Sequence, residues 1–256
     1  MNNINPTSRF SDRVENYVKY RPGYPEEIYA YLRSMAGLRK GDSIADLGSG
    51  TGLLSKLFLK HGHKVFGIEP NSEMRKAGEE ILAPQKTFVS LDGRAEEIPL
   101  PDQSVDFVVA GQAFHWFDPK KSKSEVNRIL RPNREAALIW NEWDRKLSPF
   151  LDGYQDLLIK FGTDFETVHR NASSESSIAT FFEPLKPQLA HFSNHQDFEF
   201  NALRGRLLSS SYAPQEDDPN FQAMIKYLQD LFAEHEQDGL VRFEYRTNTY
   251  HAKMDT

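Results

Sequence analysis

The sequence predicts an α/β fold with a doubly wound, parallel sheet, on three observations. Between Asp42 and Asn141 five short apolar runs recur at fairly regular intervals: Ser43 to Leu47, Lys64 to Glu69, Thr87 to Leu91, Val105 to Ala110 and Ala136 to Asn141. The segments between them are helical in pattern, with Leu53, Leu54, Leu57 and Phe58 at i, i+1, i+4 and i+5, and Val126, Ile129 and Leu130 spaced likewise. The first run passes directly into three alternate glycines, Gly48, Gly50 and Gly52, which open a helix. Alternating strands and helices imply parallel pairing with helices on both faces.

Two helices precede the first strand, about Asp12 to Tyr20 and Glu26 to Ala36, separated by Arg21-Pro22-Gly23-Tyr24-Pro25. Pro25 suits a helix start because it gives up no needed N–H. The helix after the second strand opens at Asn71 or Ser72, both good caps, with Glu73 in its first turn. Gly111 ends the fourth strand and lets the chain turn away. From Asp144 to about Leu189 the alternation stops and the text becomes Ser-rich, Pro-punctuated and Phe-rich. A strand is expected at Asp197 to Phe200, a helix at Phe221 to Glu236, and a half-buried strand from the alternation over Val241 to Tyr250. The expected organisation is a helical lid at 1–40, a core at 41–143, helical cap insertions at 144–190 and 201–237, and final core strands at 191–200 and 240–252.

Composition narrows the chemistry. The 256 residues carry a net charge of −6 and no cysteine. Disulfides, thiolate metal sites, iron–sulfur clusters and a cysteine nucleophile are therefore absent. The mild acidity gives no global attraction to nucleic acid or anionic lipid, and neither is expected as a partner. No apolar run exceeds five residues, and Met1-Asn2-Asn3-Ile4-Asn5-Pro6 lacks the pattern of a signal peptide. A cytoplasmic location is expected. Spacing of His, Asp and Glu suggests no metal site, and nothing in the sequence defines an oligomeric state.

The chemistry-bearing stretch is Ile44-Ala45-Asp46-Leu47-Gly48-Ser49-Gly50-Thr51-Gly52. Glycines there let a ligand approach the backbone without meeting a Cβ. The dinucleotide fingerprint is G-x-G-x-x-G; here the third glycine comes one residue early and Asp46 precedes the loop. That carboxylate suits an ammonium or sulfonium better than a pyrophosphate. Glu69, at the end of the second strand and 21 residues after Gly48, stands where a carboxylate accepts hydrogen bonds from both ribose hydroxyls.

As a set, Asp46 to Gly52, Glu69 and the segment Asp92-Gly93-Arg94-Ala95-Glu96-Glu97-Ile98-Pro99-Leu100 resemble a class I S-adenosylmethionine-dependent methyltransferase, in the small-molecule branch that includes ubiquinone/menaquinone-pathway and trans-aconitate enzymes. The resemblance covers roughly Tyr17 to Asn141. It implies a Rossmann-like, mostly parallel seven-stranded sheet with the last strand antiparallel. It implies S-adenosylmethionine as cofactor, S-adenosylhomocysteine as product, and a small-molecule acceptor methylated at O or N, with a carboxylate acceptor suggested by the trans-aconitate likeness. By resemblance the cofactor is held by Asp46, Gly48, Ser49, Gly50, Gly52, Glu69 and Pro70. Met74 packs on the adenine, Ala95 and Arg94 read its edge, Gln112 meets the methionine portion, and Arg21 pairs with the methionine carboxylate.

In a doubly wound sheet the ligand lies at the carboxyl ends of the strands, so acceptor-side residues should follow the fourth strand in Ala110-Gly111-Gln112-Ala113-Phe114-His115-Trp116-Phe117-Asp118. His115 is the candidate for orienting the acceptor or taking its proton; the other reading is a histidine bonded within a packed turn. Trp116 is pocket wall or core, Trp140 and Trp143, flanking Asn141 and Glu142 at the end of the fifth strand, are candidates to line the same cleft, and Tyr17 and Tyr20 either cover the site or dock an aromatic helix. Arg204, Arg206, Ser209, Ser211 and Tyr212 either hold a carboxylate or are surface polar groups. Two other functions compete: a nicotinamide-dependent oxidoreductase, disfavoured by the early third glycine and by the lack of a Tyr-x-x-x-Lys pair following a Ser, and a non-catalytic protein that binds S-adenosylmethionine.

Overall fold

The computed structural model describes residues 14–163, 165, 175–210 and 212–254. One sheet of seven strands organises them, in the order β3-β2-β1-β4-β5-β7-β6. The strands are β1 (Ser43–Leu47), β2 (Lys64–Ile68), β3 (Phe88–Leu91), β4 (Val105–Gly111), β5 (Leu130–Glu142), β6 (Gln188–Phe198) and β7 (Val241–Lys253). The first five run parallel, and β7 enters antiparallel between β5 and β6. The expected architecture, with its antiparallel last strand, is the one observed.

The helices are α1 (Val14–Tyr20), α2 (Glu26–Met35), α3 (Leu53–Lys60), α4 (Ser72–Leu82), α5 (Pro119–Ile129), α6 (Pro149–Phe161), α7 (Glu175–Phe182), α8 (Phe200–Leu208) and α9 (Phe221–His235). Each face of the sheet buries its own set. On one face Leu47, Val108, Leu138 and Trp140 pack with Val126 and Ile129 of α5 and Phe181 and Phe182 of α7. On the other Ile44, Val65, Val109 and Ile139 pack with Ile28 and Leu32 of α2 and Leu57 and Phe58 of α3. This second face continues into an aromatic cluster, where α6, α8 and α9 close over Phe243 and Tyr245 of β7. The cap is thus an extension of the core around an extended β7.

Three boundaries differ from expectation. β5 begins six residues early, at Leu130, because its first residues continue the pairing with β4 across a register shift between Val105 and Phe107. β6 begins at Gln188 and ends at Phe198, whereas 191–200 was expected; as an edge strand it alternates exposed and half-buried residues and so lacks an apolar run. Phe200 belongs to α8. The helix after β2 opens as expected, with the Asn71 side chain accepting from the N–H groups of Glu73 and Met74, each at 3.0 Å.

Candidate functional site

The β1–α3 junction turns through left-handed backbone at Gly48 (φ 64°), Gly50 (φ 56°) and Gly52 (φ 81°), a conformation L-residues rarely adopt. The turn is fastened to β2 by Gly48 N–H and Ser49 N–H, which both donate to the Ile68 carbonyl, at 2.8 and 3.2 Å. It forms one wall of a cavity of about 460 Å³ at the carboxyl edge of the parallel strands. Gly48, Ser49 and Gly50 line the cavity. Gly52 does not; it turns the chain into α3, and a Cβ there would overlap Leu82.

Glu69 closes the turn from the β2 side. Its Oε2 accepts from Gly50 N–H at 2.9 Å and its Oε1 from Asn71 N–H at 2.8 Å. Burial raises its pKa, opposed by those two backbone donors. Arg75 donates to the Glu69 carbonyl at 2.8 Å and to Asp92 at 3.1 Å, joining β2 to the loop after β3. Pro70, Met74, Arg94 and Ala95 line the same end of the cavity, Met74 and Ala95 being buried.

Asp46 is 1% exposed. Its Oδ2 accepts from the Ser55 hydroxyl at 2.7 Å, while its buried Oδ1 has no partner among the described residues. Burial pushes its pKa up to about 7, partly countered by the bonds to Ser55. A carboxylate of this kind, lining a cavity, is a place for a donor or cation supplied by a ligand.

Beyond β4 the cavity continues along Gln112, His115, Trp116 and Phe117. The turn away from the sheet is made at Gln112 (φ 54°), whose Nε2 donates to the Asn141 carbonyl at 3.0 Å. Gly111 has a different reason from the one expected: a Cβ there would overlap the Tyr24 hydroxyl. Trp140, Glu142 and Trp143 line the wall beyond β5, and Arg206, Tyr212 and Tyr245 the wall towards the cap. Arg21 reaches the cavity from the end of α1 and donates to the Ser209 carbonyl at 3.0 Å.

The cavity therefore gathers most of the residues singled out in the sequence, and leaves out several. Tyr20 packs on α8, where a Cβ at Gly205 would overlap its ring, so it docks the aromatic helix and does not line the cavity. Arg204 lies at the surface, 3.5 Å from Glu216. Ser209 is buried, its hydroxyl bonded to the Arg206 carbonyl at 2.7 Å. The Tyr17 side chain and Ser211 lie outside the described residues. Sequence reasoning missed Tyr24, Tyr245 and the role of Glu142 as cavity wall. Tyr245 had a signal, a hydroxyl at an inward position of an alternating strand. Among the described residues no cluster of His, Asp and Glu could hold a metal ion, and no helix is long and apolar enough to cross a membrane.

Residues 45–138 match the model of a methyltransferase domain family. An uncharacterized methyltransferase of Mycobacterium tuberculosis, Rv3342, is 41% identical over 138 residues, 54% of each chain. A second, C25B8.09 of Schizosaccharomyces pombe, is 33% identical over 155 residues, 59% of each chain. The chain thus spans a little over half the length of these curated relatives. Among solved structures, a protein of Anaeromyxobacter dehalogenans proposed to be a type II methyltransferase superposes with a TM-score of 0.67 at 18% identity, covering 92% of this chain and 98% of that one. The geranyl diphosphate C-methyltransferase of Streptomyces coelicolor, solved with S-adenosylhomocysteine, gives a TM-score of 0.51 at 13% identity, covering 90% and 76%.

Proposed function

We propose that this chain, whose residues 45–138 match a methyltransferase domain family, is a class I S-adenosylmethionine-dependent enzyme that transfers a methyl group to a small organic acceptor, at O or N, by in-line displacement. The observation that carries this reading is the pairing, in one cavity, of the Glu69 carboxylate on the glycine turn with the unpartnered buried oxygen of Asp46. Two carboxylates beside a glycine turn would repel a pyrophosphate and suit ribose hydroxyls and a cationic ligand.

The residues fit that cofactor. Glu69 would take the ribose, Met74 and Ala95 the adenine, Asp46 and Gln112 the methionine portion, and Arg21 its carboxylate. When bound, the cofactor supplies an electrophilic methyl carbon. The protein's task is to align a nucleophile with it and to exclude water; Trp116, Phe117, Trp140 and Trp143 furnish apolar walls on the acceptor side, and His115 stands there as a candidate to orient the acceptor.

Calorimetric titration with S-adenosylmethionine, S-adenosylhomocysteine and NADH tests the assignment. Binding of the first two at about micromolar Kd, with none of NADH, is expected. NADH binding in their place would overturn it in favour of an oxidoreductase. Cofactor binding without turnover over a broad panel of carboxylates, phenols and amines would favour a binding protein.

A further inference from the structure

Among the described residues, a buried guanidinium and the buried oxygen of a half-buried carboxylate lack the partner their chemistry asks for. Arg206, 3% exposed, lines the cavity. Its Nε donates to the Tyr245 hydroxyl at 3.2 Å, one terminal nitrogen donates to the Ser210 hydroxyl at 3.2 Å, and the guanidinium lies 5.1 Å from the centre of the Phe243 ring. Every one of these neighbours is neutral, and among the described residues no carboxylate is within ion-pair distance. A guanidinium removed from water without an anion is costly, and the cost falls when a ligand brings the anion.

Glu142 presents the opposite case. Its Oε2 accepts from Asn248 Nδ2 at 2.5 Å, and Asn248 is held in turn by His191 Nδ1 at 2.6 Å. The side chain lines the cavity, and its Oε1, buried beneath that surface, has no partner among the described residues. The pairing register puts the two groups apart. Glu142 shares a sheet face with Trp140 and Asn248, whereas Tyr245, which bonds Arg206, belongs to the other face. The same cavity is lined by the aromatic rings of Trp143 and Tyr212, both packed on Phe165.

We propose that the acceptor is bifunctional: a carboxylate seated on Arg206, an apolar, flat body against the aromatic wall, and a hydroxyl or amino group facing Glu142 that receives the methyl. This rests on the methyltransferase reading and goes further than it. A carboxylate bonded to a guanidinium has its charge neutralised and its lone pairs engaged, so the group on Arg206 is the anchor and not the nucleophile. At the other end the heteroatom forms a bond to the methyl carbon, the carbon–sulfur bond breaks with its electron pair kept by sulfur as a neutral thioether, and the heteroatom's proton passes to the Glu142 carboxylate. A carboxylate nucleophile would carry no proton to give, and Glu142 would repel it.

The test is calorimetry on the intact protein. S-adenosylhomocysteine is titrated first; its failure to bind overturns the methyltransferase reading itself. With the protein saturated, the isomers of hydroxybenzoate and aminobenzoate are compared with benzoate, phenol and aniline. At least one bifunctional isomer should bind about tenfold or more tightly than both of its parents. R206M should lower that isomer to the level of phenol or aniline, and E142Q, which still accepts from Asn248, to the level of benzoate, both with unchanged affinity for S-adenosylhomocysteine. If R206M does not fold, R206K replaces it, and should lose most of the preference because an ammonium lacks the planar fork. No isomer exceeding its parents, or either position insensitive to substitution, would overturn the proposal.

Discussion

Asp46 ends β1 with one carboxylate oxygen bonded to Ser55 and the other unpartnered among the described residues, and its pKa is raised from 3.8 to about 7, chiefly by burial. Because the folded pKa lies above the unfolded one, its contribution to stability is complete below about pH 4 and is lost as pH rises through about 7. A cationic ligand beside it favours the ionised form. Affinity for S-adenosylmethionine should therefore strengthen between about pH 6 and pH 8, with a proton released on binding below about pH 7, while Asp46→Asn removes both effects. Titration in buffers of different ionisation enthalpy counts that proton; a flat wild-type profile would show that Asp46 does not face the bound cation. Glu69 makes a second prediction. It pins Gly50 and Asn71 as well as offering its oxygens to a ribose, so Glu69→Ala should weaken binding by about 1–3 kcal/mol. Unchanged affinity would count against the ribose assignment.

The β1–α3 turn shows how one element divides its glycines between strain and space. At all three positions an alanine would sit in left-handed backbone, at about 1–2 kcal/mol. At Gly50 the added methyl would meet only Met74 Cε at 3.4 Å, an ordinary contact, whereas at Gly48 it would stand 2.6 Å from the Ala113 Cβ and at Gly52 overlap Leu82. Chemical denaturation should accordingly rank Gly50→Ala as the mildest of the three. Gly52→Ala should lower the unfolding midpoint while leaving the Kd for S-adenosylhomocysteine nearly unchanged in the folded fraction, since Gly52 is no part of the cavity wall. Equal destabilisation by all three substitutions would refute the steric distinction. The turn was legible because glycine spacing and Asp46 stand in one short window. The edge strand β6 was not, because its side chains are half-exposed and its partner β7 lies over forty residues further on.

Across the whole molecule, legibility follows the origin of each wall of the cavity. The central strands β1 and β4 are buried on both faces and so are apolar runs that could be read directly, and the end proposed for the cofactor is built from residues beside β1 and its neighbours. The end proposed for the acceptor is assembled from Glu142, Arg206 and Tyr245, which line one cavity only when α8 and β7 fold over the sheet, with Arg21 of the N-terminal segment on the same cavity. Four separate parts of the chain are tied there: Arg21 to the Ser209 carbonyl, Asn141 and Asn194 to the Gly23 carbonyl at 3.1 and 2.9 Å, and the Gln196 side chain to the Tyr20 carbonyl at 3.3 Å. These bonds are partly exposed, so the lid should open more readily than the sheet. A ligand contacting Arg21 favours the closed arrangement by mass action, and its effect should extend to whatever the lid touches. Saturation with S-adenosylhomocysteine should then slow amide hydrogen exchange in residues 14–25 and 200–210 as well as in the glycine turn, and Arg21→Ala should abolish the first two effects while retaining the third. Protection confined to the turn and the Arg94–Ala95 segment in the wild-type protein would mean that lid and cap close independently of the cofactor.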